Sequence, residues 1–166
     1  MARPQRWLRA CCWPSAIAGA ILIGSGFAIG PALSSAGSAT DATALIELVG
    51  GVRGQVTFHR GDHAVRQTST GWPAAISPAW FRGQALPAHP LTGTPMQVEI
   101  VDDAPSCLAP ASKTFDPSDG TARALWYNRT NGSVCVRIPH GLDREATLAA
   151  FNEANGMSLG ALDARR

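Results

Sequence analysis

Hydrophobic and polar positions fall into several distinct periods along this chain. Residues 16–33 (AIAGAILIGSGFAIGPAL) form an 18-residue apolar run broken only by Ser25 and Pro31, and no charge occurs from Ala10 to Thr40. Further on, Leu45, Leu48, Val49, Val52 and Val56 recur every three or four positions, the spacing of one helical stripe. Thr40, Asp41 or Thr43 can cap the start of that helix and Gly61 fits its end. Gly50, Gly51 and Gly54 each weaken it by about 1 kcal/mol relative to Ala, so it must rely on packing.

From Gln67 to Pro95 the pattern is irregular and rich in proline, which predicts a rigid extended loop pinned by Trp72, Trp80 and Phe81. Met96, Val98 and Ile100 then alternate with Gln97, Glu99 and Val101, the signature of a half-buried strand. After a loop from Asp102 to Ala122 comes ALWYNRTNGSVCVRIP, residues 124–139, which predicts a hairpin. Asn131-Gly132 suits a two-residue type I′ turn, since both positions need positive φ. With that turn Arg129 faces Val134, Tyr127 faces Val136 and Leu125 faces Ile138. Leu125, Tyr127, Val134, Val136 and Ile138 then share one face, and Trp126 sits opposite Arg137, where stacking is possible. Asp143 to Asn155 reads as a short helix with Asp143 as N-cap, Leu148 and Phe151 on one face and Gly156 as the stop. The tail from Met157 to Arg166 has little to hold it.

These elements predict an α+β chain in three parts: a basic leader with an apolar segment (1–39), an exported globular domain (40–156) and a flexible tail (157–166). In the globular part an amphipathic helix packs on a small antiparallel sheet that includes the hairpin, followed by the short helix. The 166-residue length allows one domain of ordinary size, and 17 Gly with 12 Pro point to many loops.

Charge sharpens the reading of the N-terminus. Arg3, Arg6 and Arg9 precede the apolar run, the arrangement of an export signal whose N-terminus stays inside. The run is close to the length of a spanning helix, so it serves as a membrane anchor. Alternatively it is cleaved at the small residues Ser34-Ser35-Ala36 or Gly37-Ser38-Ala39, which releases the domain as a secreted module. From residue 40 onward, 11 Lys/Arg face 12 Asp/Glu. That balance offers no basic field for a phosphate backbone, so nucleic acid is not an expected partner.

Candidate chemistry is sparse. Cys107 and Cys135 are the only cysteines in the exported part, and a bridge between them would stabilise by about 3 to 4 kcal/mol in the chain-entropy treatment. His59 and His63 with Asp62 have a spacing seen at metal sites, but Gly61 ends the helix between them and the reading is of solvated polar residues. His89 and His140 each stand beside a proline and suggest no constellation. Asp102, Asp103, Asp116 and Asp119 are weak calcium candidates, with Asp116 to Gly120 equally readable as a plain turn. Asn128 and Asn131 both begin glycosylation sequons that the hairpin explains without a glycan. No nucleophile elbow, Walker loop or dinucleotide fingerprint occurs, so no catalytic residue, cofactor or small-molecule substrate is indicated.

The order of LPAHPLTG (Leu86 to Gly93) followed by WYNRTNGSV (Trp126 to Val134), after a helix running into a loop over Leu48 to Pro73, resembles the type II secretion pseudopilins and type IV pilin-like proteins. Their "P-x-N-P-L-T-G" and "W-x-Y-N-x-x-x-G" segments occur in that order. The family's leader motif is not matched, because Gly26-Phe27 sits inside the apolar run and Pro31 stands where the family has Glu. The resemblance implies a pilin-like outer domain on a single-pass anchor in the cytoplasmic membrane, facing the extracytoplasmic side. It implies non-enzymatic protein contacts with pilin-like or secretion-system partners, and, in some members, calcium in the Asp102 to Ala122 region.

Overall fold

The stripe of Leu45, Leu48, Val49, Val52 and Val56 does face the core, with Leu48 half-buried and the other four buried. Their helix, α1, is longer than the caps predicted. It runs Ser35–Phe58, so Thr40, Asp41 and Thr43 lie inside it and do not start it. A computed structural model describes residues 35–164, with side chains from residue 41 onward. The basic leader, the apolar run 16–33, Cys11 and Cys12 lie outside the described residues. Among the described residues no helix is long and apolar enough to cross a membrane. Gly61 follows α1 with φ +74°, a left-handed conformation that glycine adopts freely, and its N–H donates to Gly71 O across the next turn.

Beyond α1 the proline-rich segment is a loop with two short 3-10 turns, Pro78–Trp80 and Arg82–Gln84. Trp72, Trp80 and Phe81 pack against the core as expected. Three strands form the main sheet: β1 (Val98–Val101), β3 (Leu125–Asn128) and β4 (Ser133–Val136), in the order β1-β3-β4. A second pair, β2 (Thr114–Phe115) with β5 (Ile138–Pro139), lies in the region read as loop and strand end. The chain is α+β, but its main sheet is mixed where the sequence predicted antiparallel. β3 and β4 are antiparallel, whereas β1 runs parallel to β3 and β2 parallel to β5. The 23 residues between β1 and β3 provide the crossover that a parallel pair requires.

The hairpin forms in a different register. Leu125 pairs with Val136 and Tyr127 with Val134, a shift of two from the prediction. Four residues, 129–132, make the loop in place of two. Asn131 keeps negative φ and only Gly132 is left-handed, at +78°. Asn128 Oδ1 accepts the Thr130 N–H and Asn131 Oδ1 accepts the Ser133 N–H, so two side-chain turns replace the type I′ turn. A shift of two keeps the faces, since the side-chain period is two. Leu125, Tyr127, Val134 and Val136 therefore share one face as predicted, while Trp126 pairs with Cys135 and not with Arg137. Both faces are covered, and every residue of β3 is buried. In β1, by contrast, Ile100 is 39 % exposed. The predicted inward alternation holds at Met96 and fails at the outer strand's far end.

α2 (Arg144–Asn155) follows its sequence signals closely. Asp143 Oδ1 accepts the Ala146 N–H at 2.8 Å, and Gly156 closes the helix in a left-handed C-cap. Asp143→Ala is expected to cost about 1 kcal/mol, read as a lower denaturant midpoint, with Asp143→Asn nearly neutral. α2 packs on α1 and on β4. The residues after it are better held than their composition suggested. Asn152 clamps Leu159 through both backbone groups, Leu159 is buried, and Lys113 Nζ donates to Ala164 O at 2.7 Å.

Candidate functional site

Residues 48–73, 86–93 and 126–134 fold onto one another around the hairpin. Tyr127 projects from β3 and its hydroxyl donates to Pro73 O at 2.7 Å. One loop away, the Trp72 ring lies flat against Gly132, where an added Cβ would come within 2.5 Å of three ring atoms. Arg60 covers the ring, 4.4 Å from its centroid. Leu86 to Gly93 docks through His89, which sequence reading left without a role. His89 is fully buried, edge-on to Phe115. Its Nε2–H donates to Arg137 O at 3.1 Å, and Nδ1 accepts the Leu91 N–H at 3.3 Å. A carbonyl only accepts and an amide only donates, so these two bonds fix the neutral tautomer.

Burial therefore holds the His89 pKa below its ordinary 6.5, against a smaller opposing effect of the Arg137 carbonyl. The sign follows from proton uptake. Well above pH 6.5 neither folded nor unfolded His89 is charged, and the contribution is complete. As pH falls below 6.5, the unfolded chain binds the proton first and stability declines. Asp62, Asp102, Asp116 and Asp119 are lowered from 3.8 by hydrogen bonds, so their contributions fade only below about pH 4. Urea midpoints measured at pH 7.5 and 5.0 are expected to fall in the natural protein and to fall less in His89→Gln. An equal decline in both would show that another group controls the acid sensitivity.

Segment 104–109 is strapped to the other side of the hairpin. Asn128 Nδ2 donates to Cys107 O at 3.0 Å, and Asn131 Nδ2 donates to Pro105 O at 2.8 Å and to Cys107 O at 3.0 Å. Both sequon amides are thus engaged with backbone, and Asn128 is fully buried. Cys107 and Cys135, the pair read as a candidate bridge, are both buried, and no bond joins them among the described residues. Cys135 Sγ donates to Leu108 O at 3.4 Å, while Cys107 Sγ reaches Ala109 O at 3.6 Å and Asp103 Oδ2 at 3.7 Å. Burial pushes the Cys135 thiol up to about 12, far from the thiolate a nucleophile needs.

The carboxylates do not converge. Asp102 forms a two-pronged pair with Arg129, whereas Asp116 and Asp119 each close a turn by accepting from Ser118 and Thr121. His59 bonds Asp62 at 3.1 Å and stacks on Trp80, 4.3 Å between ring centroids, and His63 does not join them. No group of three His, Cys, Asp or Glu side chains suited to a metal occurs among the described residues. Arg137, for which the predicted register made stacking on Trp126 possible, pairs with Glu99 and donates to Ser112 O and Arg123 O.

No family model, curated protein or solved structure matches the chain. Two features of the described residues lie where the helices meet. One is a groove of about 390 Å³ between α1 and α2, lined by Leu45, Leu91, Leu142 and small residues of α2. Leu91 is 37 % and Leu142 52 % exposed. A side chain that sequence reading overlooked joins the same two helices to the sheet. Arg53 Nε and Nη2 both donate to Val134 O, and Nη2 also donates to Asn155 O at 2.9 Å. The sole lysine, Lys113, is buried with its ammonium on the carbonyls of Pro110, Ala111 and Ala164. Arg53 carries no local signal, because its partners lie 81 and 102 residues away, and the bond from Lys113 to Ala164 O spans 51 residues.

Proposed function

We propose that this chain is a non-enzymatic, pilin-like component of a type II secretion or pilus-type assembly, anchored in the cytoplasmic membrane and working by protein contacts on its outer face. What supports the reading is the mutual docking of the resemblance segments. Trp72 on Gly132, Tyr127 on Pro73 and His89 on Arg137 tie the three segments into one unit. The groove between α1 and α2, rimmed by Leu91 and Leu142, offers apolar area to a neighbouring subunit.

The test is the mass and fractionation of the mature chain in cells. An intact N-terminus in the membrane fraction is expected, with photo-crosslinks from position Leu142 to another membrane-anchored protein. A soluble product beginning near Gly37 or Thr40 would overturn the anchored reading and favour a secreted module. A product beginning at Phe27 would instead indicate processing of the ordinary pilin kind.

A further inference from the structure

The two edges of the main sheet are treated differently. On β4, side chains from the helices satisfy the outer backbone. Asn155 Oδ1 accepts the Val136 N–H at 2.8 Å and Asn155 Nδ2 donates to Val136 O at 3.0 Å, while Arg53 donates to Val134 O. That edge is closed to further pairing. β1 forms the other edge. Leu125 N–H donates to Gln97 O and Arg129 N–H to Val101 O, so in this parallel ladder residues 97, 99 and 101 turn their backbone groups toward β3. Val98 and Ile100 turn theirs outward. No described residue hydrogen-bonds the outward N–H or C=O of either.

Beside this open edge lies a cleft of about 580 Å³, lined by Ala74, Ala75, Trp80 and Ile100. Arg66 and Arg129 also line it. Arg129 is already paired with Asp102. Arg66 is exposed and has no carboxylate partner among the described residues.

We propose that β1 takes up an extended, acidic segment of a partner protein as an added strand. The partner's main chain pairs with the outward groups of Val98 and Ile100. Side chains on the Ile100 face of the added strand are apolar and enter the cleft, and a carboxylate nearby meets Arg66. Four residues of β1 span about 13 Å, room for a matching stretch of about four partner residues. A second copy offering the same edge is the poorer occupant, because it would bring another Arg66 where a carboxylate is wanted. The proposal does not depend on the pilin-like reading, since it uses only the edge, the cleft and Arg66.

Hydrogen exchange read by mass spectrometry on the full chain tests it, with fragmentation that resolves residues 98–101. The probes are acetylated peptides of alternating Val and Thr, flanked at both ends by Glu, by Lys, or by Glu with every second amide N-methylated. The Glu-flanked peptide is expected to slow exchange at Val98 and Ile100 about tenfold or more. The Lys-flanked peptide should need at least about tenfold higher concentration, and the methylated one should give no protection. Arg66→Glu, which leaves every described hydrogen bond in place, should reverse the Glu-over-Lys preference. Ile100→Pro deletes one outward donor without touching the β1–β3 ladder and should abolish protection. The proposal is overturned if no peptide protects these amides up to about 1 mM, if methylation makes no difference, or if Arg66→Glu leaves the preference unchanged. Exchange at these amides that slows with protein concentration alone would overturn it in favour of self-pairing.

Discussion

Phe151→Ala is expected to remove about 3 to 5 kcal/mol of stability and to lower the thermal midpoint by about 10 to 20 °C. Phe151 is fully buried on the face of α2 that meets the sheet. Its ring also receives the Lys113 ammonium, 5.5 Å from the centroid. Removing it leaves a cavity, withdraws a face of the buried cation's surroundings and loosens the tail that Lys113 holds at Ala164. The loss is a large part of the roughly 5 to 15 kcal/mol available to a whole domain. Phe151→Leu keeps most of the volume and should cost under about 1.5 kcal/mol. Calorimetry of the three proteins decides the matter: a small effect of alanine would mean that the α2–sheet interface collapses around the gap.

Gly132→Ala should cost about 3 kcal/mol, by two separable routes. Its φ of +78° is costly for any residue with a Cβ, by about 1 to 2 kcal/mol. The remainder is steric, because the new methyl would sit 2.5 Å from the Trp72 ring and the indole must swing away from the hairpin and from Arg60. A double-mutant cycle separates the two. In a Trp72→Ala background, Gly132→Ala should cost only the backbone share, giving a coupling of about 1 to 2 kcal/mol. Coupling near zero would show that Trp72 does not rest on Gly132 in solution. The same contact is what seats the loop after α1 onto the hairpin, so the double mutant also reports on the docking behind the proposed function.

Several features were legible in the chain because their causes lie within four residues. The stripe of Leu45, Val49, Val52 and Val56 faces the core because a helix repeats every 3.6 residues. Asp143 and Gly156 bound α2 because each acts on backbone groups one turn away. The shared face of Leu125, Tyr127, Val134 and Val136 held even though the hairpin slipped by two, because strand parity is insensitive to an even shift. The register itself was not legible. Asn-Gly favours a two-residue turn in isolation, but here Asn128 and Asn131 spend their amides on the carbonyls of segment 104–109 and their oxygens on the loop's own N–H groups. The carbonyls arrive from more than 20 positions away, and a four-residue loop satisfies both sets of partners.

The same distinction separates what the sequence by itself determined from what only the tertiary structure decided. Apolar periodicity, capping and the α+β class come from neighbouring residues and are written along the chain. Tertiary packing decided that β1 runs parallel to β3 and that His89, Lys113 and Asn155 are buried. It also decided which sheet edge is closed and which is open. The physical reason is that a buried polar group or a strand edge must find its hydrogen-bond partner wherever the fold brings one. For Arg53 and Val134 that partner lies 81 residues along the chain, beyond the reach of any local pattern.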